Sequence, residues 1–205
     1  MITEFNWTPS NETWRRVKNH CRTTDNKDFT GNDATDAFKR KLLYSEHSPI
    51  RLLEFDWSWK GIKYWLSTEW SRHKFEKFIS TQRNDRQHNY DRNKAPQDAP
   101  VNFDGFANMQ NLIDAWRKRM CFQATPEARQ LAEDFKRQLH ETHPIEADIL
   151  VPHCVYRGCC SECFNGCRFW DRLVKDWDKE DIINIEKRYQ KYNEWFYNKE
   201  ITNEN

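Results

Sequence analysis

Leu53, Phe55, Trp57 and Trp59 alternate strictly with Glu54, Asp56, Ser58 and Lys60. Successive strand side chains point to opposite faces, so this period of two predicts a strand over 53–59 with one buried and one wet face. Gly61 is expected to break it. Behind the glycine, Ile62, Trp65, Leu66, Glu69 and Trp70 fall at helical intervals. Upstream, Ala37, Phe38, Lys41 and Leu42 share one face of a helix expected from about Thr35 to Tyr44. That helix ends in Ser45-Glu46-His47-Ser48-Pro49-Ile50-Arg51, where Pro49 pushes Ser48 out of helical geometry and into a turn. The first half of the chain therefore reads helix, Ser-Pro turn, strand, helix.

The second of these helices runs into Arg72, His73 and Lys74, three consecutive side chains able to offer protons to an anion. After Phe75 to Ile79, expected as a loop-forming spacer, comes the polar run Ser80-Thr81-Gln82-Arg83-Asn84-Asp85-Arg86. Arginine presents a planar fork that matches phosphate, while glutamine and asparagine present paired donors and acceptors that match a base edge. Two such groups joined by a short connection suit a ligand with phosphates, either a nucleotide or a dinucleotide cofactor. In a chain that is 32% charged, a solvated basic face is the plainer alternative.

With 205 residues the chain can build one domain with a sizeable core. Hydrophobic residues make up only 37% and mean hydropathy is -1.08, which is low for a compact monomer. The 15% aromatic content, with ten Trp, argues against disorder. A core of large rings, with polar surface given over to a site or a subunit interface, reconciles the two. A net charge of +1 gives no electrostatic reason to expect a nucleic-acid polymer or an anionic membrane as partner. Apolar runs are too short for a membrane span or a secretory signal, so a cytoplasmic protein is expected.

Residues 1–33 are polar around Trp7 and Trp14 and read as an N-terminal arm, or as an early helix around Trp14 to Cys21. Residues 87–104 read as a long Pro-, Asn- and Asp-rich connection. A helix capped by Asp104 is expected next, with Phe106, Met109, Leu112, Ile113, Trp116 and Met120 on one stripe and Arg117, Lys118 and Arg119 in its last turn. Thr125, Pro126 and Glu127 mark another start, with Thr125 as the cap of a helix reaching about Glu141. A last helix is expected over Asp178 to Asn198. Residues 34–170 then form the central domain and 171–205 a C-terminal helical extension.

Seven cysteines is an odd number, and five of them lie between Cys154 and Cys167. Without a secretory signal a disulfide framework is not expected. Cys160 and Cys163 form a C-x2-C pair that Cys154 and Cys167 could complete into a tetrahedral thiolate zinc site. Reduced thiols in a compact, turn-rich tail fit the same spacing equally well. No partner side chain marks any cysteine as a nucleophile. G-x-G-x-x-G, P-loop and G-x-S-x-G motifs are absent, so a bound dinucleotide would not be held by the Rossmann fingerprint.

Taken in order, these motifs resemble the flavin-dependent thymidylate synthases, the ThyX family. Their hallmark R-H-R-x-x-S-x-N-E-x-S-x-R-Y is similar at its start to Arg72-His73-Lys74. Its end is similar to Gln82-Arg83-Asn84-Asp85-Arg86, allowing an insertion. The family's H-x-[ST]-P-[FL]-E turn resembles Glu46-His47-Ser48-Pro49-Ile50-Arg51, followed by the alternating strand. Arg119 to Arg129 resembles the R-x-x-x-x-A-x-x-E-[IA]-R junction, and Val151 to Cys159 the P-x-C-x-x-x-G-x-C-x-E tail of some members. The similarity runs from residue 35 to residue 168. Departures are Lys74 for an arginine, which loses the bidentate fork, Asn84 for the serine near the pyrimidine, Arg51 for a glutamate and Gln87 for the tyrosine.

The resemblance implies an α/β (α+β) fold, a single domain with a small twisted sheet flanked by helices, in a homotetramer with active sites between subunits. It points to a divergent, phage-like member, cytoplasmic in a bacterium or a phage-infected host. It further implies FAD against Arg72, His73 and Lys74, with Ser48 on its phosphates. A pyrimidine deoxynucleotide monophosphate would be held by Gln82, Arg83, Asn84 and Arg86 of one subunit and Arg119 of another. Asn84 and Arg119 would be the catalytic residues, Arg119 stabilising charge that develops on the pyrimidine ring. The reaction implied is reductive methylation of dUMP to dTMP with methylene-tetrahydrofolate and NADPH, in which no cysteine has to attack the pyrimidine. Two alternatives stay open. Asn84 and the inserted residues also fit dCMP, or a hydroxymethyl transfer, on the same fold. The other is a non-catalytic zinc-bearing binding module that grips a partner through the basic stretch. It leaves the Ser-Pro turn, the strand and the Arg119–Glu127 junction without a role.

Overall fold

A computed structural model of the chain describes residues 2–80, 83, 86, 91–162 and 166–198. Its strands are β1 (Ile2–Trp7), β2 (Glu54–Lys63), β3 (Glu76–Ile79) and β4 (Pro100–Asn108). They form a four-stranded sheet in the order β1-β2-β4-β3, with every neighbouring pair antiparallel. An antiparallel sheet with helices gathered on one side is an α+β arrangement.

The alternation that predicted β2 is what builds the core. Phe55, Trp57 and Trp59 are buried on its inner face. Trp57 meets Trp59, Phe75, Trp116 and Phe135 edge-on, at centroid distances of 5.7, 5.2, 5.7 and 5.4 Å. On the outer face the Ser58 hydroxyl donates to Asp104 Oδ1 at 2.6 Å. Gly61 does not end this strand. It adopts φ +67 where the register against β4 shifts between Trp59 and Ile62, and its N–H donates to Asn102 Oδ1 at 3.1 Å. The glycine makes a bulge, and the strand continues past it to Lys63.

Three expectations are corrected in this region. The spacer after Phe75 is β3, an edge strand paired to β4 from Glu76↔Phe106 to Ile79↔Phe103. Part of the connection expected over 87–104 is β4. The helix expected to start at Asp104 is α4 (Met109–Arg119), capped by Asn108, whose side chain accepts from the Asn111 N–H at 3.0 Å. Asp104 and Phe106 are strand residues, and Phe106 faces outward.

The remaining elements pack on the inner face. The chain enters through β1 and α1 (Asn11–Thr24), the early helix foreseen around Trp14. Trp14 is buried there, with its indole N–H donating to Glu146 Oε1 at 2.7 Å. α2 (Asp36–Tyr44) begins at Thr35 as expected and leads to a 3-10 turn at Ser48–Leu52. α3 (Tyr64–Trp70) connects β2 to β3. After α4 come α5 (Pro126–Thr142), α6 (Pro144–Asp148), α7 (His153–Arg157) and α8 (Phe169–Leu173). The helix expected over Asp178 to Asn198 is two helices, α9 (Lys179–Ile183) and α10 (Ile185–Asn198), because Asn184 is extended with ψ 117. No helix among the described residues is long and apolar enough to cross a membrane.

Candidate functional site

α3 ends at Trp70, a buried ring packed 4.7 Å from Trp59 and 5.1 Å from Trp116. The chain must then reverse quickly to enter β3. The reversal is held by the His73 N–H on the Trp70 carbonyl at 3.2 Å and the Phe75 N–H on the His73 carbonyl at 3.0 Å. Lys77 Nζ reinforces it by donating to the carbonyls of His73 and Phe75, each at 3.1 Å. The outcome is a tight turn with Arg72 and Lys74 exposed and His73 half-buried between them.

His73 Nε2 accepts from Arg119 Nε at 2.7 Å. Burial first, and then the positive charges of Arg119, Lys118 and Lys77, push the histidine pKa down from 6.5 to about 4. The ring is therefore neutral near pH 7, and an accepting Nε2 puts its proton on Nδ1. Arg119 is the last residue of α4. Its Nη1 donates to Glu69 Oε2 at 3.2 Å and its Nη2 to the Glu69 carbonyl at 2.7 Å. Thr125, expected as the cap of α5, makes no cap hydrogen bond; its hydroxyl donates to Glu69 Oε2 at 2.9 Å. One network thus joins α3, α4 and the start of α5 behind the Arg72-His73-Lys74 turn.

In front of it lies a cleft of about 320 Å³. Arg72, His73 and Lys74 line it together with Asn111, Asp114, Ala115, Arg117 and Lys118 of α4, and His153 at the start of α7. Arg72, Lys74 and Lys118 set three cations against the single lining carboxylate of Asp114, while Arg117 is balanced by Glu46, so the cleft favours an anion. His153 is held below its ordinary pKa by burial and then by Arg157, Arg117 and Lys118, and its Nε2 accepts from Arg157 Nε at 2.6 Å. Arg117 stacks 3.4 Å over the Tyr156 ring and pairs through both terminal nitrogens with Glu46. Its Nε is buried with no partner among the described residues. Glu46 also takes Gln110 Nε2 at 2.7 Å. Lys74 and Asn111 line a second groove as well, of about 490 Å³, which passes Glu54, Glu76 and Phe106 on the outer face of the sheet.

Of the residues singled out in the sequence, Arg72, His73 and Lys74 line the cleft, and Arg119 stands directly behind it. Ser48 is exposed at the start of the 3-10 turn and does not line the cleft; Glu46 is the residue of that turn that reaches it, through Arg117. Arg83 and Arg86 are exposed, while Gln82 and Asn84 lie outside the described residues. Cys154 is buried in α7, Cys160 is exposed and Cys167 is half-buried, whereas Cys163 lies outside the described residues. Among the described residues no group of three or more His, Cys, Asp or Glu side chains is assembled to hold a metal. A larger cleft of about 590 Å³, lined by Arg40, His140, Asp148, Glu186 and Tyr197 among others, includes none of the predicted residues.

Sequence reasoning missed Glu46, Glu69, Asn111, Asp114 and His153. Glu69 carried a signal, a carboxylate at apolar helical spacing that needs a buried partner. His153 and Asn111 carried none.

No protein-family model matches the chain, and no curated protein matches it. Solved structures do match it in fold. A crystal structure of the flavin-dependent thymidylate synthase ThyX from Helicobacter pylori, complexed with FAD and dUMP, aligns with a TM-score of 0.58 at 15% identity, over 73% of this chain and 100% of that one. Another crystal structure of ThyX from Helicobacter pylori with FAD and dUMP gives a TM-score of 0.56 at 14% identity, over 72% and 99%. At such identity the likeness lies in the path of the backbone. The fold of this chain is the fold of the flavin-dependent thymidylate synthases.

Proposed function

We propose that this chain is a flavin-dependent enzyme acting on a pyrimidine deoxynucleotide monophosphate. The reaction is reductive methylation of dUMP to dTMP with methylene-tetrahydrofolate and NADPH. The observation that carries the reading is the turn at Arg72-His73-Lys74. On a fold shared with flavin-dependent thymidylate synthases, the residues that resemble that family's hallmark line a cation-rich cleft.

The donor set fits the phosphates of FAD. Arg72, Lys74 and Lys118 offer charge, Asn111 offers an amide, and the buried Arg117 Nε is unpartnered among the described residues. The groove that continues past Lys74 and Asn111 leaves room for an extended ligand. Bound there, FAD would supply the hydride chemistry. The protein's own residues bind and orient. Arg72 and Lys74 hold phosphate, and Gln82, Arg83, Asn84 and Arg86 grip the deoxynucleotide; Ser48, which lies outside the cleft, is not part of this phosphate site. Arg119 fixes His73 as a neutral ring. Three of its five N–H groups serve Glu69 and His73, and the other two, with no hydrogen-bond partner among the described residues, would serve a substrate oxygen on which negative charge develops. A homotetramer with sites between subunits belongs to the same reading, and the exposed rings of Phe78 and Phe106 are surface that a neighbouring subunit would cover.

The deciding experiment is an absorption spectrum of the purified protein, followed by titration with dUMP and with dCMP. Flavin bands that shift with dUMP and not with dCMP support the reading. A shift with dCMP alone moves the substrate to that nucleotide. A colourless protein that takes up no added FAD overturns it. The double variant Arg72→Ala with His73→Ala is expected to lose most of its flavin, and unchanged flavin content would remove the cofactor assignment.

A further inference from the structure

Glu69 does not line the cleft, yet the side chains behind it converge on this residue. It sits one position before the end of α3, among the last carbonyls of a helix, which have no partner within it. The Glu69 carbonyl accepts from Arg119 Nη2 at 2.7 Å, and its carboxylate Oε2 accepts from Arg119 Nη1 at 3.2 Å. The same Oε2 accepts from the Thr125 hydroxyl at 2.9 Å. Backbone and side chain of one residue therefore grip one guanidinium, while a hydroxyl at the start of α5 holds the carboxylate in turn.

A third contact completes the arrangement. Arg119 Nε donates to His73 Nε2 at 2.7 Å, and Arg119 Cζ stands 5.9 Å over the Trp70 ring. A guanidinium is planar and rigid, so three engaged N–H groups leave it one orientation. Arg119 and Glu69 are 15% and 23% exposed, so the pair lies largely out of water. Burial works against the Arg119 charge, Glu69 supports it and Arg72 opposes it. Once Oε2 is withdrawn, the lost bonds and the charge of Arg72 both favour a swing of Arg119 away from His73.

We propose that Glu69 is a positioning residue of the candidate site, acting through Arg119. It aims the two remaining N–H groups of the guanidinium and keeps Nε on His73. This role rests on the proposed function, in which those N–H groups meet a substrate oxygen; Glu69 itself touches neither flavin nor nucleotide. Reach, more than charge, is what the residue supplies, because the shorter of its two bonds to Arg119 comes from an uncharged carbonyl.

Two conservative variants separate reach from charge. Glu69→Asp keeps the charge but is one methylene short of Nη1 and the Thr125 hydroxyl. Glu69→Gln loses the charge but keeps an oxygen in the place of Oε2. His73, which faces Arg119, Lys118 and Lys77, is titrated by NMR in ligand-free protein. Its midpoint is expected to rise from about 4 in Glu69→Asp, as Arg119 leaves, and to stay near 4 in Glu69→Gln. With FAD bound, dUMP followed through the flavin bands is expected to bind about tenfold more weakly to Glu69→Asp and within about twofold of the parent to Glu69→Gln. Equal losses in the two variants would overturn the positioning role in favour of charge alone. An unmoved His73 midpoint in Glu69→Asp overturns it with the flavin reading intact. A parent that takes up no FAD overturns the flavin reading, and the positioning role with it.

Discussion

His73 has its chemistry set by its neighbours. Three consecutive proton donors were visible at Arg72, His73 and Lys74 because residue type alone makes them so. That the middle one is neutral was not visible, since the cause is a contact across 46 positions, from Arg119 Nε to His73 Nε2. Arg119→Ala removes the nearest of the three cations facing the ring, while burial, Lys118 and Lys77 remain. The His73 pKa is therefore expected to rise from about 4 without regaining 6.5. An NMR titration of the imidazole Cε1–H follows it, and an unmoved midpoint would refute the account. The Glu46–Arg117 pair makes a second expectation at this scale. Both side chains are largely buried, at 19% and 9% exposure. Glu46→Gln keeps the shape and an acceptor but leaves the guanidinium charge unbalanced, so a loss of about 2 kcal/mol in urea unfolding is expected. A change below about 0.5 kcal/mol would mean that the pair is solvated in practice.

Elements were legible where one face is large and apolar and the other polar. β2 announced itself through Phe55, Trp57 and Trp59. β4 has the same alternation, with Val101, Phe103, Gly105 and Ala107 facing inward, but two of its four inward residues are too small to register as apolar. β3 is four residues long, and its outward Phe78 is 68% exposed, so its pattern carries no burial signal. Both strands exist because β2 and β4 supply pairing partners, which no local propensity encodes. The small residue at Gly105 has a specific cause. It stands opposite Trp57 in the ladder, and a Cβ there would come within 2.2 Å of the Trp57 ring. Gly105→Ala is expected to cost about 3 kcal/mol or more, because the ring cannot retreat through Phe75, Trp116 and Phe135. Gly31→Ala, with open space around its position, is the control and is expected to be nearly silent. Equal midpoints for the two variants in urea would mean that Trp57 does not hold its place.

At the scale of the whole molecule, the order of motifs was legible and pointed to the right fold, whereas the packing of the C-terminal helices onto α5 was not. Lys136 shows why. It follows Phe135 on the edge of the apolar stripe of α5 and reads as a solvated lysine, yet it is fully buried. α10 and α6 close over it. Its Nζ donates to the Ala147 carbonyl at 2.8 Å and Asn193 Oδ1 at 2.7 Å, and the rings of Phe196 and Tyr197 each stand 5.2 Å away. Burial pushes its pKa from 10.5 down to about 7, with Asp148 opposing and Arg137 adding to the effect. Between those two values the unfolded chain holds a proton that the folded chain has given up, so stability rises with pH across the window and falls as the pH drops toward 7. The slope cannot exceed about 1.4 kcal/mol per pH unit, and it amounts to about 1.5 kcal/mol between pH 7 and 8.5. Buried Tyr192 and Tyr197 are held neutral above their ordinary range and reverse the trend at higher pH, so the comparison belongs below pH 9. Lys136→Met carries no proton to lose. Urea unfolding of the parent and of Lys136→Met at pH 7 and 8.5 should show a gap in stability that changes by that amount. A gap independent of pH would mean that Lys136 keeps its proton inside the fold, as an ammonium held by Ala147, Asn193 and the surrounding rings.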